Sequence, residues 1–252
     1  MGFCRDSMLQ LTIGYNNIFI LEGSGGQRRQ WGLIEPMVRQ RVRIRFSKSG
    51  NLKYIGHKDL LRAFEALFRR ARLPLAMSGG YHPKIRMSFP SALALGVEGF
   101  DEVLELEMNE SADPIDSDGL LLDLNRCTVN GLSFLSARML GEGEKKAKLV
   151  ASVFEMPIPE EFREETKIQI ASFLAQSSVI VEKPNGKSVD ARRAVSDIRL
   201  NESGVLTMEI LVLDGPEAGV KEILLVLGLE KELFRTVFPK RIRCRLFDSR
   251  PD

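Results

Sequence analysis

The sequence RVRIRFSKSGNLKYIGHKDLLRAFEALFRRARLP spans residues 41–74 and predicts a strand followed by a helix. In Arg41–Phe46, arginines alternate strictly with Val, Ile and Phe, which is the period-two pattern of a half-buried strand. The residues SKSGNL then supply a turn. From His57 onward, apolar residues recur at helical spacing, and Pro74 ends the helix. A strand that leads into an amphipathic helix is the beginning of a layered α+β fold.

The rest of the chain repeats this order of elements. Further strands are predicted at KIRMSFP, DEVLELEM, LSFLSARML, KAKLVASVFEM, SSVIVEK, GVLTMEILVLD and KRIRCRLF, and further helices start at Asp113-Pro114, at PEEFREETKIQIASFLA and at PEAGVKEILLVLG. The order strand, helix, strand, strand, helix, strand occurs twice. We therefore expect an α+β fold of two tandem ferredoxin-like (βαββαβ) units with antiparallel sheets, at residues 37–142 and 145–248. Residues 1–36 are expected to form a poorly ordered tail or a misassigned extension ahead of Met37.

Length and composition are those of an ordinary globular protein, with 252 residues, 44% hydrophobic and 28% charged. These values exclude a disordered chain, a collagen-like repeat and a small disulfide scaffold. Three cysteines without C-x-x-C spacing argue against a zinc or iron–sulfur site and favour a reducing compartment. No apolar run reaches the roughly 18 residues of a membrane span. We expect a cytoplasmic protein with no metal, no cofactor and no membrane contact, and its oligomeric state is not predicted.

The charges are strongly segregated along the chain. Residues 39–86 hold thirteen Lys or Arg and two acids, a net charge of +11, whereas residues 98–123 hold ten acids and no Lys or Arg. A dense basic segment within a folded domain is a candidate phosphate-binding surface. The alternative is that the basic and acidic segments neutralise each other across a sheet or between helices.

Two strands carry alternating arginines, Arg41–Phe46 and the final strand KRIRCRLF at residues 240–247. If helices cover one sheet face, these arginines lie on the other face, where they would suit the backbone of single-stranded RNA. The start of the first helix and the SGGYHPK loop also present backbone N–H groups to anions. The predicted RNA- or phosphate-binding residues are Arg41, Arg43, Arg45, His57, Lys58, Arg62, Arg69, Ser78, Gly80, Tyr81, His82, Lys84, Arg86, Arg241, Arg243 and Arg245.

Catalysis is a weaker alternative. Metal-independent RNA cleavage needs a base, an acid and a cation for the phosphorane charge, roles that His57, His82 and Lys84 would fill if they converge. Packing of each imidazole against backbone explains the histidines equally well. The acids between Asp113 and Asp123 superficially resemble a metal loop, but Pro114 and the helical pattern favour a helix start stabilised by its dipole.

The stretch from Arg41 to Gly99 resembles the start of the radical-SAM-linked domain family, a bacterial family of unknown function. The most characteristic run is LPLAMSGGYHP with LALGVEG beyond it, and the resemblance continues more loosely through VDARRAVSDIRL and KRIRCRLF. The recurring positions fall on His57, Asp59, Arg62, Ser78, Gly80, Tyr81, Pro83 and Gly96. Family members stand alone or are fused behind a radical SAM enzyme, and they are often encoded near ribonuclease E/G and ribosome-related genes.

The resemblance implies a role in RNA metabolism beside a radical SAM enzyme. The C-x-x-x-C-x-x-C cluster motif of such enzymes is absent from this sequence. Our leading hypothesis is therefore a non-catalytic RNA-binding accessory protein, with RNA and a radical SAM enzyme as partners. The alternatives are an endoribonuclease that uses His57 and His82, and an adaptor whose acidic segment 98–123 docks a basic protein without RNA.

Overall fold

The computed structural model describes residues 11–14, 17–20, 39–109, 115–213, 218–229 and 237–247. The chain divides into two compact units, residues 1–38 and 39–252. In the first unit, β1 (Leu11–Gly14) and β2 (Asn17–Ile20) pair as an antiparallel ribbon. The remainder of the predicted tail, with Trp31, Met37 and Cys4, lies outside the described residues, as does the predicted helix start at Asp113-Pro114.

The second unit contains the candidate binding residues, and its strands and helices position them. Its strands are β3 (Arg39–Lys48), β4 (Met87–Ser88), β5 (Glu98–Asn109), β6 (Leu132–Leu140), β7 (Leu149–Pro157), β8 (Ile180–Glu182), β9 (Ser188–Asp190), β10 (Val195–Leu200), β11 (Val205–Leu211) and β12 (Lys240–Leu246). Its helices are α1 (His57–Arg70), α2 (Ser117–Arg126), α3 (Arg163–Ala175), α4 (Ala191–Ala194) and α5 (Val220–Val226). Short 3-10 helices lie at Gly50–Tyr54 and Glu160–Phe162.

Among the described residues, eight strands form one large sheet in the order β10-β11-β7-β12-β5-β3-β6, with β4 on the same edge of β5 as β12. All of its described pairings are antiparallel except that of β12 with β5. The expectation of an α+β fold with antiparallel pairing is confirmed at this level. The strands β8 and β9 form a separate two-stranded ribbon.

The period-two pattern of β3 explains which side of the sheet the helices cover. Val42, Ile44 and Phe46 are buried against the apolar stripe of α1, which includes Phe64 and Phe68. A second core lies where α3 and α5 pack on β7, β10 and β11. Each helix thus buries its apolar stripe on the sheet face that carries the aliphatic residues of the strands.

The predicted strand KIRMSFP is much shorter in the structure, where only Met87 and Ser88 pair as β4. The helix predicted from Asp113 begins at Ser117, and its N-cap is Asp116, whose carboxylate accepts a hydrogen bond from the Gly119 N–H. None of the described helices is both long and apolar enough to cross a membrane.

Candidate nucleic-acid interface

The arginines of β3 lie on the sheet face away from α1, as the alternation predicts, but their charges are already neutralised. The side chain of Arg43 is only 4% exposed, and its guanidinium donates two hydrogen bonds to Glu105 Oε1, at 3.2 and 3.0 Å. Arg43 and Glu105 are direct cross-strand partners in the β3–β5 register. The acidic segment therefore supplies the counter-charges for the β3 arginines of the basic segment, as the alternative interpretation of the charge pattern predicted for them.

The two neighbouring arginines of β3 are also paired. Arg41 donates to Glu105 at 3.1 Å, and Arg45 donates to Asp101 at 2.6 Å. The segment 141–148, which joins β6 to β7, crosses this face: the Ala147 N–H donates to Glu105 and the Lys145 carbonyl accepts from Arg43. This face of β3 is therefore covered by protein, and the expectation of an uncovered arginine row is wrong here.

Glu144 anchors the crossing segment. Its carboxylate accepts hydrogen bonds from Arg138 Nη1 and Nη2 and from the Gly141 N–H. The hydrogen bonds from Arg138, and then the one from Gly141, outweigh burial and lower the pKa of Glu144 to about 2. Segment 141–148 is thus held on the sheet by charge-assisted hydrogen bonds.

Arg241 of β12 is buried on the helix side of the sheet rather than exposed. Its Nε donates to Glu102 Oε1 at 2.7 Å, its Nη2 also contacts Glu102, and its Nη1 donates to Ser91 Oγ at 3.1 Å. Burial opposes the charge of Arg241, but the hydrogen bonds and the carboxylate of Glu102 raise its pKa above the usual range. Lys48 lies in the same cluster, where burial lowers its pKa. Arg241 therefore forms a buried ion pair between β12 and β5, and its guanidinium is not available to a ligand.

The other two arginines of β12 are exposed on the open face of the sheet. Arg243 and Arg245 line a shallow depression of about 220 Å³ together with Glu155, Asp197 and Glu209. Arg245 pairs with Glu209 at 3.1 Å. The expected shared row of six strand arginines is therefore not formed, because it is divided between a covered face, a buried pair and a depression of mixed charge.

Helix α1 presents the exposed basic charge of this half of the protein. Leu60, Phe64, Leu67 and Phe68 anchor its inner face, so the residues between them point to solvent. We define the α1 face as the exposed basic residues Lys58, Arg62, Arg69 and Arg72. Among the described residues, only Arg62 of these four has an acidic partner, the exposed Asp59 at 3.1 Å.

The C-terminal end of α1 places Arg72 on this face. Ala71 caps the helix, and Arg72 follows in the left-handed region with φ of 55°. This conformation turns the chain toward Pro74. Arg72 is not among the binding residues predicted from the sequence, although its spacing after Arg69 was the signal for it.

The loop at residues 78–84 divides into a closed base and an exposed tip. Ser78 closes the base, since its N–H donates to the Lys84 carbonyl and its Oγ accepts from the Lys84 N–H. Arg86 fastens the loop through Met77 and Glu107. Gly80 adopts a φ of 103°, which only glycine takes without strain. Ser78, Gly80 and Arg86 therefore shape the loop.

The tip of the 78–84 loop presents the side chains that are free to bind. Tyr81 is fully exposed, and His82 and Lys84 are exposed beside it. His57 lies at the start of α1, where its ring packs edge-on against Phe89 with centroids 5.4 Å apart. No contact between His57 and His82 is described, so the convergence needed for RNA cleavage has no support from the geometry.

The structure also shows an aromatic surface that was not predicted from the sequence. We define the aromatic ledge as Lys53, Tyr54, Phe100, Phe238 and Lys240. Lys53, Tyr54 and Phe238 contact one another, and Lys240, two residues after Phe238, contacts Phe100. The adjacent Lys53-Tyr54 pair just before the basic helix was the available signal. Its partners come from residues 100 and 238–240, which a single sequence does not place nearby.

The remaining groups with possible chemistry near this surface are the Cys244 thiol and the acidic side chains. Burial raises the pKa of the Cys244 thiol to about 12. Within the described residues, no three His, Cys, Asp or Glu side chains are grouped so that they could hold a metal ion. The acids Glu102 and Glu105, which the adaptor hypothesis placed on a docking surface, are buried in ion pairs.

The fold and the surface define an α+β protein with a large, mostly antiparallel sheet and an exposed cationic helix. Residues 41–221 match the family described as "Uncharacterized protein conserved in bacteria (DUF2344)". The match covers more than half of the chain, and the chain belongs to this family. Among curated proteins, none matches the sequence.

Proposed function

We propose that this protein is a cytoplasmic RNA-binding accessory protein whose contact surface is the α1 face and the tip of the 78–84 loop. The observation that carries the proposal is the exposure of three basic side chains and their lack of acidic partners. Lys58, Arg69 and Arg72 are exposed and have no acidic partner among the described residues, in contrast to the paired arginines of β3.

Unpaired cations on a rigid helix favour a polyanion. Each phosphate that meets a Lys or Arg releases condensed counterions, so binding is driven by entropy and weakens as salt rises. The α1 face extends from Lys58 along the helix to Arg72 just past its end, roughly 20 Å, which is the length of several nucleotides. Tyr81 and Lys84 add a ring and a further cation on the adjoining loop.

The proposed partner enzyme is a radical SAM protein. This chain would hold the RNA while the enzyme acts on it. This part of the proposal rests on the sequence resemblance of residues 41–99 alone. It predicts that a radical SAM enzyme co-purifies with the protein after nuclease treatment, and the absence of any such enzyme from the purified complex would overturn it.

We also propose that the sheet is two ferredoxin-like units joined edge to edge. The order β6-β3-β5-β4 supports this for the first unit, and β12-β7-β11-β10 supports it for the second. In each set the fourth, first, third and second strands lie side by side, as in a split βαβ arrangement. The parallel contact of β12 with β5 would then join the units.

Titration of labelled RNA fragments by fluorescence anisotropy tests the RNA-binding function directly. We expect binding whose affinity falls steeply between about 50 and 200 mM salt, because phosphate contacts dominate. Absence of binding to tRNA and rRNA fragments, or binding that does not respond to salt, contradicts the proposal.

A further inference from the structure

The aromatic ledge is a surface on which rings and lysines alternate. The Tyr54 and Phe238 rings meet edge to face with centroids 6.1 Å apart, and Lys53 Nζ lies 5.2 Å from the first and 4.6 Å from the second. Lys240 Nζ lies 5.7 Å from the centroid of Phe100. Tyr54 nevertheless remains 55% exposed, so much of its ring is open to solvent.

The backbone around the ledge is built to hold these rings in place. The Gly96 N–H donates to the Lys53 carbonyl at 2.9 Å, and the φ of Gly96 is 84°. A Cβ on Gly96 would make ordinary van der Waals contact with the Phe238 ring, at 3.4 Å, so it is the left-handed φ, and not lack of space, that calls for glycine here. Glu98 accepts from the Gly50 N–H and pairs with Lys240, which ties residues 50, 98 and 240 together.

We infer that the aromatic ledge stacks an unpaired base of single-stranded RNA, with Tyr54 as the stacking ring and Lys53 beside the flanking phosphate. The inference rests on the proposed function and extends it from phosphate binding to base recognition. Tyr54 lies four residues before Lys58, so the ledge and the α1 face are neighbours in sequence.

The charges of the ledge favour a nucleic acid over a protein partner. Both of its ionic side chains are lysines, and the neighbouring carboxylate, Glu98, is largely buried and already engaged by Lys240 and Gly50. Aromatic rings interleaved with cations are the platform on which single-stranded nucleic acids stack. Stacking tolerates any base because each base has a π-face, so the ledge selects unpaired RNA and not a sequence.

A single-stranded RNA of about 12 nucleotides with 2-aminopurine at its centre tests the inference, since stacking changes the fluorescence of that base. We expect Tyr54→Ala to weaken binding of this RNA about ten-fold and to abolish the fluorescence change. Tyr54→Phe keeps the ring and should bind like the wild type. Phe247→Ala, which removes another exposed ring, is the matched control and should have no effect.

Inorganic polyphosphate separates this inference from the proposed function, because it carries the charge of RNA without bases. Tyr54→Ala should bind polyphosphate as tightly as the wild type does. If the wild type binds RNA with salt dependence but Tyr54→Ala binds it equally well, the stacking inference is wrong and the ledge is a protein contact. If the wild type binds neither probe, the proposed function itself is wrong.

Discussion

Glu102 and Arg241 are 139 residues apart in sequence, and their side chains form a buried, bidentate ion pair. Arg241 belongs to β12 and Glu102 to β5, so the pair lies where the two halves of the sheet meet. Removal of one partner would leave the other as an uncompensated buried charge, which is far more costly than loss of a surface pair.

Glu102→Ala should therefore lower the free energy of unfolding by about 3–5 kcal/mol, measured by urea denaturation. The matched control is Arg199→Ala, which removes one member of the exposed pair with Asp197 and should cost about 1 kcal/mol or less. Equal costs for the two variants would show that the Glu102–Arg241 pair is not buried as described.

Cys244 gives a second prediction at the scale of one residue. Because burial raises its thiol pKa to about 12, almost no thiolate is present at pH 8. We expect Cys244 to resist iodoacetamide in the folded protein and to react after unfolding in urea, as read by mass spectrometry of its peptide. Rapid modification of Cys244 in the native protein would contradict this placement.

The strand arginines show what a sequence can and cannot predict about single residues. The alternation in Arg41–Phe46 correctly predicts which side chains face away from α1. It does not predict that Arg43 stands opposite Glu105, because that depends on the register between β3 and β5. Which acid faces a given arginine depends on which strands pair and in which register, and the tertiary fold decides both.

Among the elements, the crossing segment 141–148 has the clearest dependence on pH. The pKa of Glu144 is about 2 in the folded protein, below its ordinary value of 4.5, so the ionised carboxylate stabilises the fold. This contribution is complete above about pH 4.5 and is lost as the pH falls toward 2.

Glu144→Gln should therefore be less stable than the wild type by about 1–2 kcal/mol at pH 6, after allowance for solvent screening. The difference should shrink as the pH approaches 2, as measured by urea denaturation at each pH. Glu142→Gln, at an exposed neighbouring position, is the control and should match the wild type throughout. A difference for Glu144→Gln that does not change with pH would contradict the assigned anchor.

Elements with a strong local pattern agree with the sequence, whereas weakly patterned ones do not. Helix α1 has an apolar stripe, and its predicted start at His57 is the observed start, although it ends at Arg70, before the predicted stop at Pro74. KIRMSFP has no such pattern, and only Met87 and Ser88 form a strand with β5, since Ile85 bridges to Met77 and Phe89 packs against the core. The aromatic ledge lay beyond prediction because its residues come from three separate segments.

At the scale of the molecule, the eight described strands of one sheet tie residues 39–247 together. The β5–β12 contact and the Glu102–Arg241 pair both cross between the halves. We expect residues 39–247 to unfold in a single cooperative step, with coincident urea transitions by far-UV and near-UV circular dichroism. Two separated transitions would show that the halves are independent domains.

The central claim is that exposed, unpaired cations on α1, and not the arginines of the strands, bind RNA. The direct test compares Lys58→Gln/Arg69→Gln/Arg72→Gln with Lys187→Gln/Arg193→Gln/Lys221→Gln, which removes the same charge from exposed positions in the other half. Both are titrated with single-stranded RNA across a range of salt. The account predicts that only the α1 variant loses affinity and that its salt slope falls in magnitude by about 2. Equal losses in the two variants, or no loss in either, would contradict it.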